Sequence, residues 1–83
     1  MSLSSRPAYD LEAFQSNLNR LAGLDGSHSA QYAANIWAGT TDEPLLNALN
    51  IVAGTQGLGL RAVANLLAGT DNLGIDEAMR RIA

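Results

Sequence analysis

Apolar residues in this chain recur in a fixed relation to a small set of asparagines. Asn19, Asn35, Asn50 and Asn65 step along the sequence at spacings of 16, 15 and 15, and a further step of 15 reaches Arg80. With these residues as position zero, position −5 holds Phe14, Ala30, Leu45, Leu60 and Ile75. Position −1 holds Leu18, Ala34, Leu49, Ala64 and Met79, and position +2 holds Leu21, Trp37, Val52, Leu67 and Ile82. All three positions lie on one face of a helix with a 3.6-residue period. The pattern predicts five amphipathic helices of about ten residues, each ~15 Å long. A β reading fails because the apolar stretches run in threes and fours without alternation, and alanine is frequent. Trp37, the largest residue on the predicted core face, is expected to mark the centre of the array.

The boundaries follow the same period. Gly23, Gly39, Gly54 and Gly69 each come after an alanine that ends an apolar stretch. A left-handed residue is expected there, and glycine adopts positive φ at little cost. Ser27 or Ser29, Thr41 or Asp42 ahead of Pro44, and Asp71 or Asn72 are the expected helix starts. One helix lacks a polar cap and is expected to begin through Gly57 and Gly59. Asn35, Asn50 and Asn65 fall in last turns, where each carboxamide is expected to bond the backbone of an adjacent turn. Position +1 is Arg20 and Arg81 in the outer units but Ile36, Ile51 and Leu66 between them. Terminal units of an array expose a surface that inner units bury, so these arginines read as caps of a complete array or as contacts to a partner.

The fold expected is all-α, a compact helical array or bundle with successive helices roughly antiparallel. Residues 1–8 show no periodicity and are expected to be an extended N-terminal arm, leaving 9–83 as the helical repeat domain. At 83 residues a single core is only marginally sufficient. There is no cysteine and His28 is the only histidine, so neither a disulfide nor a structural metal is expected to hold it. Stability then falls to helix packing or to neighbouring subunits. Five arginines, no lysine and eight acids give a net charge of −3, a poor match to a phosphate backbone. No stretch resembles a signal peptide or a membrane span, which predicts synthesis in the cytoplasm.

Little in the chain suggests chemistry. His28, in Ser27-His28-Ser29, reads as a solvated loop residue. Asp42-Glu43 and Asp76-Glu77 are expected in first helical turns, where negative charge complements the helix dipole. Gly57-Leu58-Gly59-Leu60 lacks the Gly-Lys-Ser/Thr ending and βαβ setting of a phosphate loop. No catalytic residue, cofactor or metal is expected. Residues 59–83 can also be read as a helix-turn-helix with Arg61, Arg80 and Arg81 facing DNA, but the acidic balance and the recurrence of the same turn in every unit oppose this.

The phrases Asn35-Ile36-Trp37-Ala38-Gly39-Thr40, Asn50-Ile51-Val52-Ala53-Gly54-Thr55 and Asn65-Leu66-Leu67-Ala68-Gly69-Thr70 carry a resemblance. They are similar to an Ala-x-Asn-x-x-Ala-Gly-Thr-x-Gly-Leu repeat of proteins from tailed bacteriophages of actinobacteria. In that group the repeat occurs in virion-associated proteins, minor tail proteins among them, and in small stand-alone proteins. The similarity covers residues 18–73 and departs from the pattern at Leu24, at Thr41-Asp42-Glu43-Pro44 and at Asn72. It implies a non-enzymatic virion structural protein, as capsid decoration or tail-associated, located in the particle. Its partners would be other virion proteins or copies of itself in a homo-oligomer, with Arg20, Trp37 and Arg81 as candidate contacts. A small protein-interaction module is the alternative.

Overall fold

A computed structural model describes residues 9–82. The expected arm at residues 1–8, and Ala83, lie outside the described residues. The described chain is all-α and has no strand. Its helices are α1 (Leu11–Ala22), α2 (Ala30–Ala38), α3 (Leu45–Ala53), α4 (Leu60–Ala68) and α5 (Ile75–Arg81). Four of them end as the sequence predicts. Gly23, Gly39, Gly54 and Gly69 sit at φ between 73° and 76°, and the amide one residue further on reaches back to the asparagine carbonyl at 2.8–2.9 Å. This arrangement satisfies carbonyls that the helix leaves open, and the left-handed residue it needs costs a β-carbon-bearing side chain about 1–2 kcal/mol.

The helix starts agree with expectation at α2 and α4 and depart from it at α3 and α5. Ser29 caps α2 by accepting the Tyr32 N–H at 3.2 Å, and Asp10 caps α1 through the amides of Glu12 and Ala13. The caps of α3, α4 and α5 are Pro44, Gly59 and Gly74, none of which makes a side-chain cap bond. Thr41, Asp42, Asp71 and Asn72 lie in the preceding loops instead. Asp42 and Glu43 are therefore not in a first turn, whereas Asp76 and Glu77 are.

The helices form a closed circuit, since each packs on the next and α5 packs on α1, while helices further apart in the circuit stay separate. Inside lies one cluster built from positions −2 and −1: Ala33 and Ala34, Ala48 and Leu49, Val63 and Ala64, Ala78 and Met79, completed by Phe14, Leu18, Ile75 and Ile82. Position −1 is fully buried in every helix, as its pattern predicts. Position +2 is not, because Leu21, Trp37, Val52 and Leu67 are only half-buried and Ile82 alone is inside. Trp37 thus packs at the margin of the core rather than at its centre. Positions −2 and +2 lie only about 40° apart around the helix, but −2 falls at mid-helix and +2 in the last turn, so −2 goes in and +2 sits at the edge.

Two changes separate these backbone effects. Gly54→Val is expected to lower stability by about 1–2 kcal/mol through the left-handed position. Gly74→Ser, at a negative φ with open space around it, imports the cap that Ser29 gives α2 and is expected to raise stability by about 0.5 kcal/mol. Urea denaturation followed by circular dichroism measures both.

Candidate functional site

The most elaborate polar arrangement among the described residues is internal and recurs in the first four units, complete in three of them. Asn50 is 4% exposed, and its amide donates to the Leu46 carbonyl at 2.9 Å and the Leu58 carbonyl at 3.1 Å. Its Oδ1 accepts the Leu58 N–H at 3.0 Å and the Thr55 hydroxyl at 2.8 Å. Both donors and both acceptor sites of the carboxamide are filled, as a buried amide requires. Asn65 repeats the set with Arg61, Leu73 and Thr70. Asn35 repeats it with Gln31, Glu43 and Thr40. In each case the asparagine pins the loop leading to the next helix, at the residue just before that helix's cap. Asn19 does the same to His28, nine positions on, but Leu24 stands where the others have threonine and offers no hydroxyl.

The outer arginines are employed inside the chain. Arg20 donates to the Met79 and Ile82 carbonyls at 3.2 and 3.1 Å, capping the open end of α5 from α1. At the opposite end of the same helix pair, the Asp10 N–H donates to Asp76 Oδ2 at 2.8 Å. Arg20 is therefore not the exposed cap of an unpaired unit, because the first and last units are neighbours. Arg81 and Arg80 both pair with Glu77, and the Arg81 and Arg80 bonds hold that exposed carboxyl below its ordinary value. Arg61 donates to the Leu73 and Asn72 carbonyls at 3.0 Å and to Asn72 Oδ1 at 2.9 Å. The three arginines proposed to face DNA are thus drawn onto the protein itself.

His28 does not meet Asp42 or Glu43. Its ring stacks on Tyr32 with centroids 4.8 Å apart, and its Nε2 lies 3.7 Å from Asp25 Oδ1. Asp25 accepts from the Ser27 hydroxyl and amide, which lower its pKa in that order, with the charge of His28 adding to them. An open depression of about 240 Å³ beside α3 is lined by Glu43, Asn47, Asn50, Ile51, Thr55, Gln56 and Gly57. It contains a single acid, whose carboxyl accepts from the Asn47 amide at 3.4 Å. Among the described residues no group of three or more His, Asp or Glu is placed to hold a metal ion, and no helix is long and apolar enough to cross a membrane.

What the outside offers is apolar. Ile36, Ile51 and Leu66, all at position +1, are 44%, 46% and 50% exposed. One turn earlier on the same faces stand Tyr32, Asn47 and Ala62, so each inner helix turns an uncharged strip outward, whereas α1 and α5 carry Ser16 with Arg20 and Glu77 with Arg81 there. Leu46 and Leu11 are exposed as well. The sequence signal was present in the +1 contrast, but reading it as burial in the middle units was mistaken. Trp37, expected as a contact, is half-buried against the core and contributes only its free edge. Comparison of the chain with protein-family models, with curated proteins and with solved structures finds no match.

The clamp and the closure make separate predictions. Asn50→Ala leaves the partly buried Leu58 N–H and carbonyl without the carboxamide and the Thr55 hydroxyl with only the residue-50 carbonyl at 3.5 Å, and is expected to cost about 2–4 kcal/mol, against about 1 kcal/mol for Thr55→Val. Arg20→Met is expected to lower amide hydrogen-exchange protection in α5 while leaving α2 and α3 as they are. Equal loss in all helices would mean that the closure is inseparable from global stability.

Proposed function

We propose that this chain is a non-enzymatic structural protein of a bacteriophage particle, capsid decoration or tail-associated, that acts through repeated protein-protein contacts. The observation that carries the contact part of this reading is the uncharged strip on each inner helix, where Ile36, Ile51 and Leu66 stand nearly half exposed at equivalent positions. Full burial of an exposed apolar side chain of this size contributes about 1.5–3 kcal/mol, so covering residues already half-buried adds about 1 kcal/mol each, and a small alanine-rich core gains from such cover. Repetition of a modest contact by symmetry gives avidity without a single tight site. The particle part rests on the resemblance of the Asn-x-x-Ala-Gly-Thr units to those of actinobacterial phages.

A small cytoplasmic interaction module would use the same residues. The two readings separate on where the chain is found. Quantitative mass spectrometry of density-purified phage particles from the source is expected to find it in many copies per particle. Abundance in infected cells with none in particles would overturn the virion reading and favour the module. In either case Ile51→Glu, on the surface, is expected to leave the helical spectrum and unfolding midpoint nearly unchanged while weakening the association. A DNA reader would instead bind duplex DNA with an affinity falling steeply with salt, which the paired state of Arg61, Arg80 and Arg81 argues against.

A further inference from the structure

The loop between α1 and α2 is the one that departs from the repeat. It carries the extra residue of the 16-residue spacing, has Leu24 in place of threonine, and holds Asp25-Gly26, the chain's only Asp-Gly or Asn-Gly pair. Every asparagine in the sequence precedes a residue with a side chain, namely leucine, isoleucine, alanine or arginine, that shields the following amide. Asn19, Asn35, Asn50 and Asn65 are moreover locked in their clamps. Asp25 has neither restraint. Its side chain is 74% exposed. Gly26, at φ +99°, has nothing within 4 Å of where a Cβ would stand, so neither a side chain of its own nor a packed neighbour crowds that side of the residue. The Ser27 N–H at 3.0 Å and the Ser27 hydroxyl at 2.7 Å both donate to Oδ1, which holds the carboxyl across the turn that spans Gly26.

We propose that Asp25 is a site of spontaneous covalent modification, in which its side chain closes on the Gly26 amide nitrogen and reopens largely as isoaspartate. The Gly26 nitrogen attacks Asp25 Cγ of the small protonated fraction of the carboxyl, a fraction that the Ser27 bonds reduce and so a brake on the rate. The N–Cγ bond forms, the Cγ–OH bond breaks, and the amide proton leaves with the hydroxyl as one water, giving a five-membered succinimide. Water then adds back to one of the two ring carbonyls. Addition at Cγ restores aspartate, and addition at the main-chain carbon gives isoaspartate, with no net change in mass and no oxidation or reduction.

The product lengthens the main chain by one carbon between Asp25 and Gly26 and leaves the free carboxylate on Cα, away from Ser27. The altered loop still has to deliver His28 to Asn19, whose bonds to the His28 carbonyl and amide are 2.9 and 3.2 Å. Without a threonine to help, this clamp is the one least able to absorb the change. Isoaspartate at Asp25 also makes the chain a substrate for the class of methyltransferase that esterifies isoaspartyl carboxylates.

The test is ageing of the folded protein at physiological pH and temperature. Peptide mapping with a protease that cleaves before aspartate but not isoaspartate, together with enzymatic methylation, locates the modified residue. Isoaspartate is expected to accumulate at Asp25 ahead of every other aspartate and asparagine, and to vanish in Asp25→Glu, whose six-membered closure is far slower. Circular dichroism establishes that this variant folds. Accumulation at Asp25 in the urea-unfolded chain but not in the folded one would overturn the proposal, because the loop would then protect the site; so would faster modification elsewhere in the folded chain.

Discussion

A buried carboxamide facing a returning loop is the interaction on which this fold depends. Helices of seven to twelve residues are marginal alone in water. What makes them persist is that each connecting loop is tied down by the helix it leaves. Asn35, Asn50 and Asn65 use all four hydrogen-bonding sites, and the carbonyl of the same residue also accepts the amide that closes the helix terminus. One residue therefore ends its helix, turns the chain and places the start of the next. The cost of burying a polar group is offset because no site on it is left empty.

The rest of the packing adapts to that clamp. The buried arc runs from the asparagine through position −1 to position −2, and the residues at −2 are small: Ala33, Ala48, Val63 and Ala78. Alanine gives little apolar area but lets helices approach closely and is the strongest helix former. The circuit is then completed by groups unlike those within the repeat, with Arg20 on the α5 carbonyls at one end and Asp76 on the Asp10 amide at the other. The surface left over is uncharged on the inner helices, which is where the proposed contacts fall.

The helices, their glycine ends and the backbone partners of the asparagines were legible because each is a local pattern with a local cause. The uncapped start at Gly59 was legible too, but those at Pro44 and Gly74 were not, because the reason they need no polar side chain lies in another helix. The loop residue ahead of each is already held by the preceding asparagine. Thr40, Thr55 and Thr70 could have been read as asparagine partners from their constant offset of five residues. The +1 column misled for a different reason. Isoleucine and leucine at a repeated position look like core, yet +1 lies about 160° around the helix from the fully buried position −1 and so faces outward. Arg20 could not be placed without knowing that the first and last units touch, and no local rule says so.

That touch has a kinetic side. Every other helix contact joins neighbours in sequence, so it forms at a small loop-closure cost and can nucleate in any unit. The α1–α5 seam alone closes over the whole array and so carries the largest entropic cost of closure. A contact made after the folding barrier would set how slowly the folded protein opens and hardly at all how fast it forms. In a chain with so small a core, Arg20 acts as a latch on lifetime.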